Sequence, residues 1–131
     1  AALSGVDVRL MIPYETDTKI VEWASRTYVL ATVKAGVKVY LYKAGFNHSK
    51  LLVADDSIAT IGSTNVDFRS FENDFEANAF FYDKKIALEV KDIFLKDQEE
   101  SVALEDVRNL THRSFLQRLW ESMVRLLSPL L

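Results

Sequence analysis

Phe46-Asn47-His48-Ser49-Lys50-Leu51-Leu52-Val53-Ala54-Asp55, followed shortly by Gly62-Ser63-Thr64-Asn65, is the stretch around which the chain is organised. His48 to Ala54 reads as a strand, because Leu51 and Val53 alternate with other side chains. Side chains in a strand point to opposite faces in turn. His48 and Lys50 therefore share one face, with Ser49, Leu51 and Val53 on the other. An imidazole beside an ammonium makes a poor core, since each charge there needs a partner or water. The pair suits a phosphate group. Lysine offers a point charge to phosphate oxygens, and neutral imidazole is a competent nucleophile. Asp55 closes the strand and suits a turn. Gly62-Ser63-x-Asn65 adds a hydroxyl, an amide and backbone N–H groups beside a glycine, a set that can hold an anion.

Working outward, Asp55-Asp56-Ser57 predicts a turn and Ser57 to Ile61 a returning strand, forming a hairpin with the one before. Gly62 to Ser70 reads as an irregular polar loop or a short helix. Asp74 to Tyr82 alternates, with Asp74, Glu76, Asn78 and Phe80 on one side and Phe75, Ala77, Ala79 and Phe81 on the other. If that strand lies beside His48–Ala54, Glu76 is placed to orient an imidazole nitrogen and fix its tautomer. Asp83 caps a helix from about Lys84 to Lys96, with Ile86, Val90, Ile93 and Phe94 as its apolar stripe.

Towards the N-terminus, Val6 to Ile12 alternates as a strand that Pro13-Tyr14 ends. Thr16 or Asp17 caps a helix whose apolar residues are Ile20, Val21, Trp23, Ala24, Tyr28 and Ala31, and Gly36 closes it. Val37 to Tyr42 is the next strand. Strand, helix, strand predicts a βαβ unit with parallel neighbours. Ala1-Ala2-Leu3-Ser4-Gly5 reads as the last turn of a helix, which leads us to expect a piece of a longer protein. Towards the C-terminus, Ser101 to Asn109 is a connector. Thr111 caps a last helix with Phe115, Leu116, Leu119, Trp120, Met123, Val124 and Leu127 on one broad face, and Pro129 ends it.

The 131 residues suffice for one domain with a core. A net charge of −3 gives no global field drawing the chain to nucleic acid. With no cysteine, disulfides and thiolate metal sites are excluded. Arg118, Glu121 and Arg125 interrupt the apolar tail, so it does not span a bilayer. Its amphipathic face leaves two options open, docking on protein or lying in a membrane interface.

The motif His48-x-Lys50-x4-Asp55 with Gly62-Ser63-x-Asn65 resembles the signature of the phospholipase D superfamily. The likeness extends through Ala35-Gly36-Val37-Lys38-Val39-Tyr40, Gly45-Phe46-Asn47-His48-Ser49-Lys50, Gly62-Ser63-Thr64-Asn65-Val66-Asp67-x-Arg69-Ser70-Phe71 and Phe75-Glu76-Ala77-Asn78. These segments, and the closing Leu126-Leu127-Ser128-Pro129-Leu130-Leu131, are similar to the C-terminal catalytic half of bacterial cardiolipin synthases. Where many relatives carry Asn before Phe-Glu, this chain has Asp74, one more negative charge near the site.

The resemblance implies a layered α/β fold, a mixed β-sheet flanked by helices, present as one of two repeats and truncated on its N-terminal side. On this basis residues 1–110 form the phospholipase D-like domain and residues 111–131 an amphipathic helix and tail. His48 is implied as a catalytic histidine, either nucleophile or acid/base, with Lys50 and Asn65 binding phosphate and Ser63 supporting them. Asp55 is implied as an auxiliary carboxylate and Glu76 as the residue that orients a histidine. No metal or other cofactor is implied.

The reaction implied is transfer of a phosphatidyl group between two phosphatidylglycerols at the bacterial cell membrane, through a phosphohistidine, giving cardiolipin and glycerol. It takes two such motifs, so the expected partner is a second phospholipase D-like half of the same polypeptide or a homodimer mate. A single-motif phosphodiesterase or nuclease acting as a homodimer is the rival reading, and a non-enzymatic module that keeps the fold is the third.

Overall fold

The computed structural model describes residues 1–14 and 28–106. The helix starts expected at Thr16 or Asp17 and at Thr111, the apolar face of the last helix, and the proposed division at residue 110 lie outside them. Contacts divide the chain into two compact units, residues 47–99 and the remainder. Both are mixed or antiparallel sheet with helix, as the α/β expectation requires.

In the first unit a short 3-10 turn, Ala2–Ser4, ends at Gly5, which takes the left-handed conformation (φ 87°). Strands β1 (Arg9–Pro13) and β2 (Lys38–Tyr42) are parallel, in the register Arg9↔Lys38 to Pro13↔Tyr42. The parallel pairing predicted from strand, helix, strand is thus present. Helix α1, described over 28–34, runs into β2 through Gly36 at φ 89°.

The register sets two cations, Arg9 and Lys38, side by side. Asp7 bridges them, at 2.8 Å from Arg9 Nη2 and 2.9 Å from Lys38 Nζ. These two hydrogen bonds lower its pKa to about 2. The buried residues are Val39, Leu41 and Leu104, with Leu10, Ile12, Val29, Leu30, Val33, Val37 and Val102 packed against them. Over its described residues α1 differs from expectation: Tyr28 and Ala31 are exposed, and the branched aliphatics Val29, Leu30 and Val33 meet the sheet instead. Ile20, Val21, Trp23 and Ala24 lie outside the described residues. The connector after position 100 supplies a third strand, β6 (Ser101–Ala103), antiparallel to β2.

In the second unit β3 (Leu51–Ala54), β4 (Ile58–Gly62) and β5 (Asn78–Phe81) form an antiparallel sheet in the order β3-β4-β5. Helix α2 (Phe68–Glu72) lies in the β4–β5 connection, and α3 (Lys84–Glu99) follows β5. Asp83 accepts from the Ile86 N–H at 3.0 Å, the cap read from sequence. One sheet face, carrying Leu51, Val53, Ala59 and Phe81, packs with Ile86, Ala87 and Val90 of α3. Ala59 and Ala87 are both 0 % exposed, so small side chains occupy the centre of this packing. Ile93, expected in the stripe, is 52 % exposed.

Strand β1 runs from Arg9 to Pro13 where Val6 to Ile12 was predicted, β2 starts one residue late at Lys38, and β3 and β5 are also shorter than predicted. The strand expected over His48–Ala54 begins at Leu51, because the Asn47 carboxamide accepts from the Ser49 N–H at 2.9 Å and the Ser49 hydroxyl at 2.5 Å. Such Asx turns compete with ladder formation. The strand expected over Asp74–Tyr82 begins at Asn78, since the Asp74 N–H is still bound to the Arg69 carbonyl at the end of α2.

Candidate active site

The Lys50 carbonyl accepts from the Gly62 N–H at 3.0 Å, and Gly62 pairs in register with Asn78. Lys50, Gly62 and Asn78 therefore sit in a row across the sheet, at the end of β3 where it starts, β4 where it stops and β5 where it starts. His48 precedes this row, Ser63 and Asn65 follow β4, and Glu76 precedes β5. The antiparallel topology thus gathers residues far apart in sequence at one sheet end.

Lys50 folds back onto His48. Its Nζ lies 2.9 Å from Nδ1, 2.9 Å from Nε2 and 2.9 Å from the His48 carbonyl oxygen. A neutral imidazole has one acceptor nitrogen and an ammonium has only donors. The lysine therefore donates to whichever ring nitrogen carries no hydrogen, and the tautomer decides which that is.

Ser63 is held on three sides. Its N–H donates to the Ala77 carbonyl at 3.0 Å, its Oγ accepts from the Ala77 N–H at 3.0 Å, and its hydroxyl donates to Glu76 Oε2. Because β5 pairs with β4 and not with β3, Glu76 arrives on Ser63. The Ser63 and Ser70 hydroxyls, with a smaller contribution from the Lys50 charge, hold its carboxyl below the ordinary glutamate range. Asn78 Nδ2 donates to Thr64 Oγ1, which fixes the other side of the loop. The extra charge of Asp74 is matched by Arg69, 3.6 Å away.

Asp55 is elsewhere. It and Asp56 are the two central residues of the β3–β4 turn, at φ 50° and 55°, closed by a Ser57 N–H to Ala54 carbonyl bond of 3.1 Å. Positive φ at both central positions is the type I′ hairpin geometry. Five residues of extended chain, at about 3.3 Å each, put Asp55 roughly 16 Å along the strand from Lys50. The structure thus brings together His48 with Lys50 and Ser63 with Glu76, on adjacent strand ends, and leaves Asp55 at the opposite end of the hairpin.

Residues 1–98 match the family described as cardiolipin synthase, phospholipase D-like domain. The chain belongs to this family. Over its whole length it is 44 % identical to a cardiolipin synthase of Clostridium perfringens, covering 27 % of that protein. It is 46 % identical to the major cardiolipin synthase of Bacillus subtilis, again covering 27 %. A cardiolipin synthase of Geobacillus kaustophilus is 48 % identical, with 26 % covered. The chain thus spans about a quarter of the length of these relatives. Among solved structures, the phospholipase D family member Nuc from Salmonella typhimurium aligns with a TM-score of 0.61 at 20 % identity, over 76 % of this chain and 64 % of that one. This likeness supports the phospholipase D-like fold.

Reading from sequence missed two contributors to this candidate site and the packing role of a third. Ser70 is buried, Thr64 receives Asn78, and Gly62, read only as part of the motif, leaves the space that Asn78 fills. Ser70 had one signal, its place three residues after the helix cap Asp67, whose Oδ1 accepts the Ser70 N–H at 2.8 Å.

Proposed function

We propose that this chain carries one half of the catalytic site of a phospholipase D-type phosphatidyltransferase of the cardiolipin synthase kind. The observation that carries the reading is the contact of Lys50 Nζ with His48 beside the Ser63–Glu76 pair, in a chain about 45 % identical to cardiolipin synthases. A phosphodiester entering this site offers oxygens to the Lys50 ammonium and the Asn65 amide. The ammonium then leaves the imidazole, and the freed ring lone pair faces phosphorus. Glu76 holds Ser63 and so fixes the loop after β4, and the histidine it was expected to orient is, in this reading, met through that loop and not by direct contact.

The chemistry takes two histidines. One attacks the phosphorus of phosphatidylglycerol, forming an N–P bond, while the glycerol P–O bond breaks. The other donates its proton to the departing glycerol. It then removes a proton from the headgroup hydroxyl of a second phosphatidylglycerol, whose oxygen attacks the phosphorus of the phosphohistidine; the new P–O bond forms as the N–P bond breaks, giving cardiolipin and freeing the first histidine. Covalent and acid–base catalysis share the work, and lysines and amides stabilise the charge on phosphorus. His48 supplies one of the two roles. The second histidine comes from another phospholipase D-like half of the full-length polypeptide, or from a homodimer mate. With lipid substrates, the full-length enzyme works at the bacterial membrane. Among the described residues no helix is long and apolar enough to cross it.

The test is to assay cardiolipin and glycerol production from phosphatidylglycerol vesicles. The full-length enzyme is expected to be active, His48→Ala inactive, and the isolated 131-residue chain inactive as a monomer. A phosphatidyl adduct trapped on His48 makes it the nucleophile. An adduct that still forms elsewhere in His48→Ala makes it the acid/base. Full activity in His48→Ala, or robust turnover by the isolated monomer, refutes the proposal.

A further inference from the structure

Ser70 is 7 % exposed and is the buried polar side chain of the described residues. The chemistry proposed above does not use it. It lies on α2, its N–H bound to the Asp67 carboxylate at 2.8 Å. Its Oγ accepts from the Asn65 N–H at 3.2 Å. Together with the Ser63 hydroxyl it helps hold the Glu76 carboxyl below the ordinary glutamate range. A hydroxyl has one donor and two acceptor positions, so it can receive the Asn65 amide and give its hydrogen to Glu76 at once.

We propose that Ser70 is a positioning residue, which holds the backbone of the phosphate-binding Asn65 against α2 and so sets the shape of the loop after β4. The inference rests on the proposed function of the site. The loop is held at one end by Ser63 on Ala77 and Glu76, and at the other by Asn65 on Ser70. Asn65 itself is exposed, with its side chain open to a ligand. Asp67 fixes Ser70 by capping the helix, so the chain Asp67, Ser70, Asn65 places the amide from a rigid element.

The test compares Ser70→Thr with Ser70→Val in the full-length enzyme. The two differ by a hydroxyl in place of a methyl, so any cost of added bulk is shared. Ser70→Val is expected to lose roughly 10- to 100-fold in kcat, the scale of a small misplacement of a binding group. Its KM for phosphatidylglycerol vesicles is expected to stay within about twofold, and the Asn65 amide to exchange hydrogen faster. Ser70→Thr restores kcat and the slow exchange. Equal kcat and equal Asn65 exchange in the two variants refute the positioning role, as does a loss that follows the unfolding midpoint alone. The wild type is assayed in parallel on phosphatidylglycerol and on bis(p-nitrophenyl) phosphate. If it turns over only the simple diester, the phosphatidyl-transfer reading fails and Ser70 is judged on that substrate. If it turns over neither, Asn65 exchange alone judges Ser70.

Discussion

The side chain of Asn78 lies over Gly62, in the space that a side chain at position 62 would need. A Cβ on Gly62 would fall well inside contact with Asn78 Oδ1 and Cγ and with the Ala77 carbonyl. The glycine of Gly62-Ser63-x-Asn65 is thus required by close strand approach. Gly62→Ala is expected to destabilise the fold by about 1–3 kcal/mol, the usual cost of overpacking. Adding Asn78→Ala removes the side-chain clash and leaves the one with the Ala77 carbonyl, so the double variant should recover only part of the loss in denaturant unfolding. Full recovery would mean that the backbone contact is unimportant.

Asp55 can be separated from the chemistry by its backbone. Non-glycine residues pay roughly 1–2 kcal/mol in the left-handed region, and Asn and Asp tolerate it best. Asp55→Ala is therefore expected to lower stability by about 1 kcal/mol, and Asp55→Asn to leave it nearly unchanged. Activity per folded molecule should stay near wild type in both, at temperatures below the unfolding transition. A large fall in kcat for stable Asp55→Asn would place the carboxylate in the mechanism after all.

What was legible in the sequence follows from local pattern. Alternation marked β1, β3 and β5, the breaks at Gly36 and Asp55-Asp56-Ser57 marked the starts of β2 and β4, and Asp83 marked the start of α3, because these signals lie within a few residues. The strand β6 is three residues long, and its pairing with β2 joins positions far apart, so nothing local announced it. Ala87 carries little hydrophobic signal, yet it occupies the centre of the α3 packing where Ile93 was expected to contribute. At the site the residue types were legible and their partners were not. Glu76 meets Ser63 because β5 pairs with β4, a choice that alternation leaves open. Ser70 was hard to see because small polar residues are ordinary in loops, and beyond its spacing from Asp67 it is burial that distinguishes it.

Asp7 gives the first unit a pH signature. Its folded pKa is lowered to about 2 by hydrogen bonds to Arg9 and Lys38, against about 3.9 in an unfolded chain. A depressed carboxylate contributes fully above the unfolded value, and the contribution is lost as pH falls through the folded one. Arg9 and Lys38 are cross-strand neighbours, so Asp7→Asn also leaves two like charges facing each other. Thermal unfolding of wild type and Asp7→Asn should differ above pH 4 and converge between pH 4 and pH 2. High salt should shrink the difference, since these groups are solvent-exposed. A gap that persists unchanged below pH 2 would assign the effect to something other than this charge.

Glu76 makes the corresponding prediction for the site. Hydrogen bonds from Ser63 and Ser70, and then the charge of Lys50, hold its carboxyl below the ordinary glutamate range. The sign is the same as for Asp7. The charged network is complete above the unfolded value of about 4.3 and is lost only as pH falls through the lower folded value. Removing the Ser63 hydroxyl takes away the largest cause, so in Ser63→Ala Glu76 should titrate closer to its ordinary value. The acid limb of the pH–rate profile should then move upward. The check is a carboxyl-carbon NMR titration of Glu76 in both proteins, beside the kinetic profile. If Glu76 moves in the titration while the acid limb stays fixed, its ionisation does not control the rate. If neither moves, the Ser63 hydroxyl does not hold the carboxylate in solution.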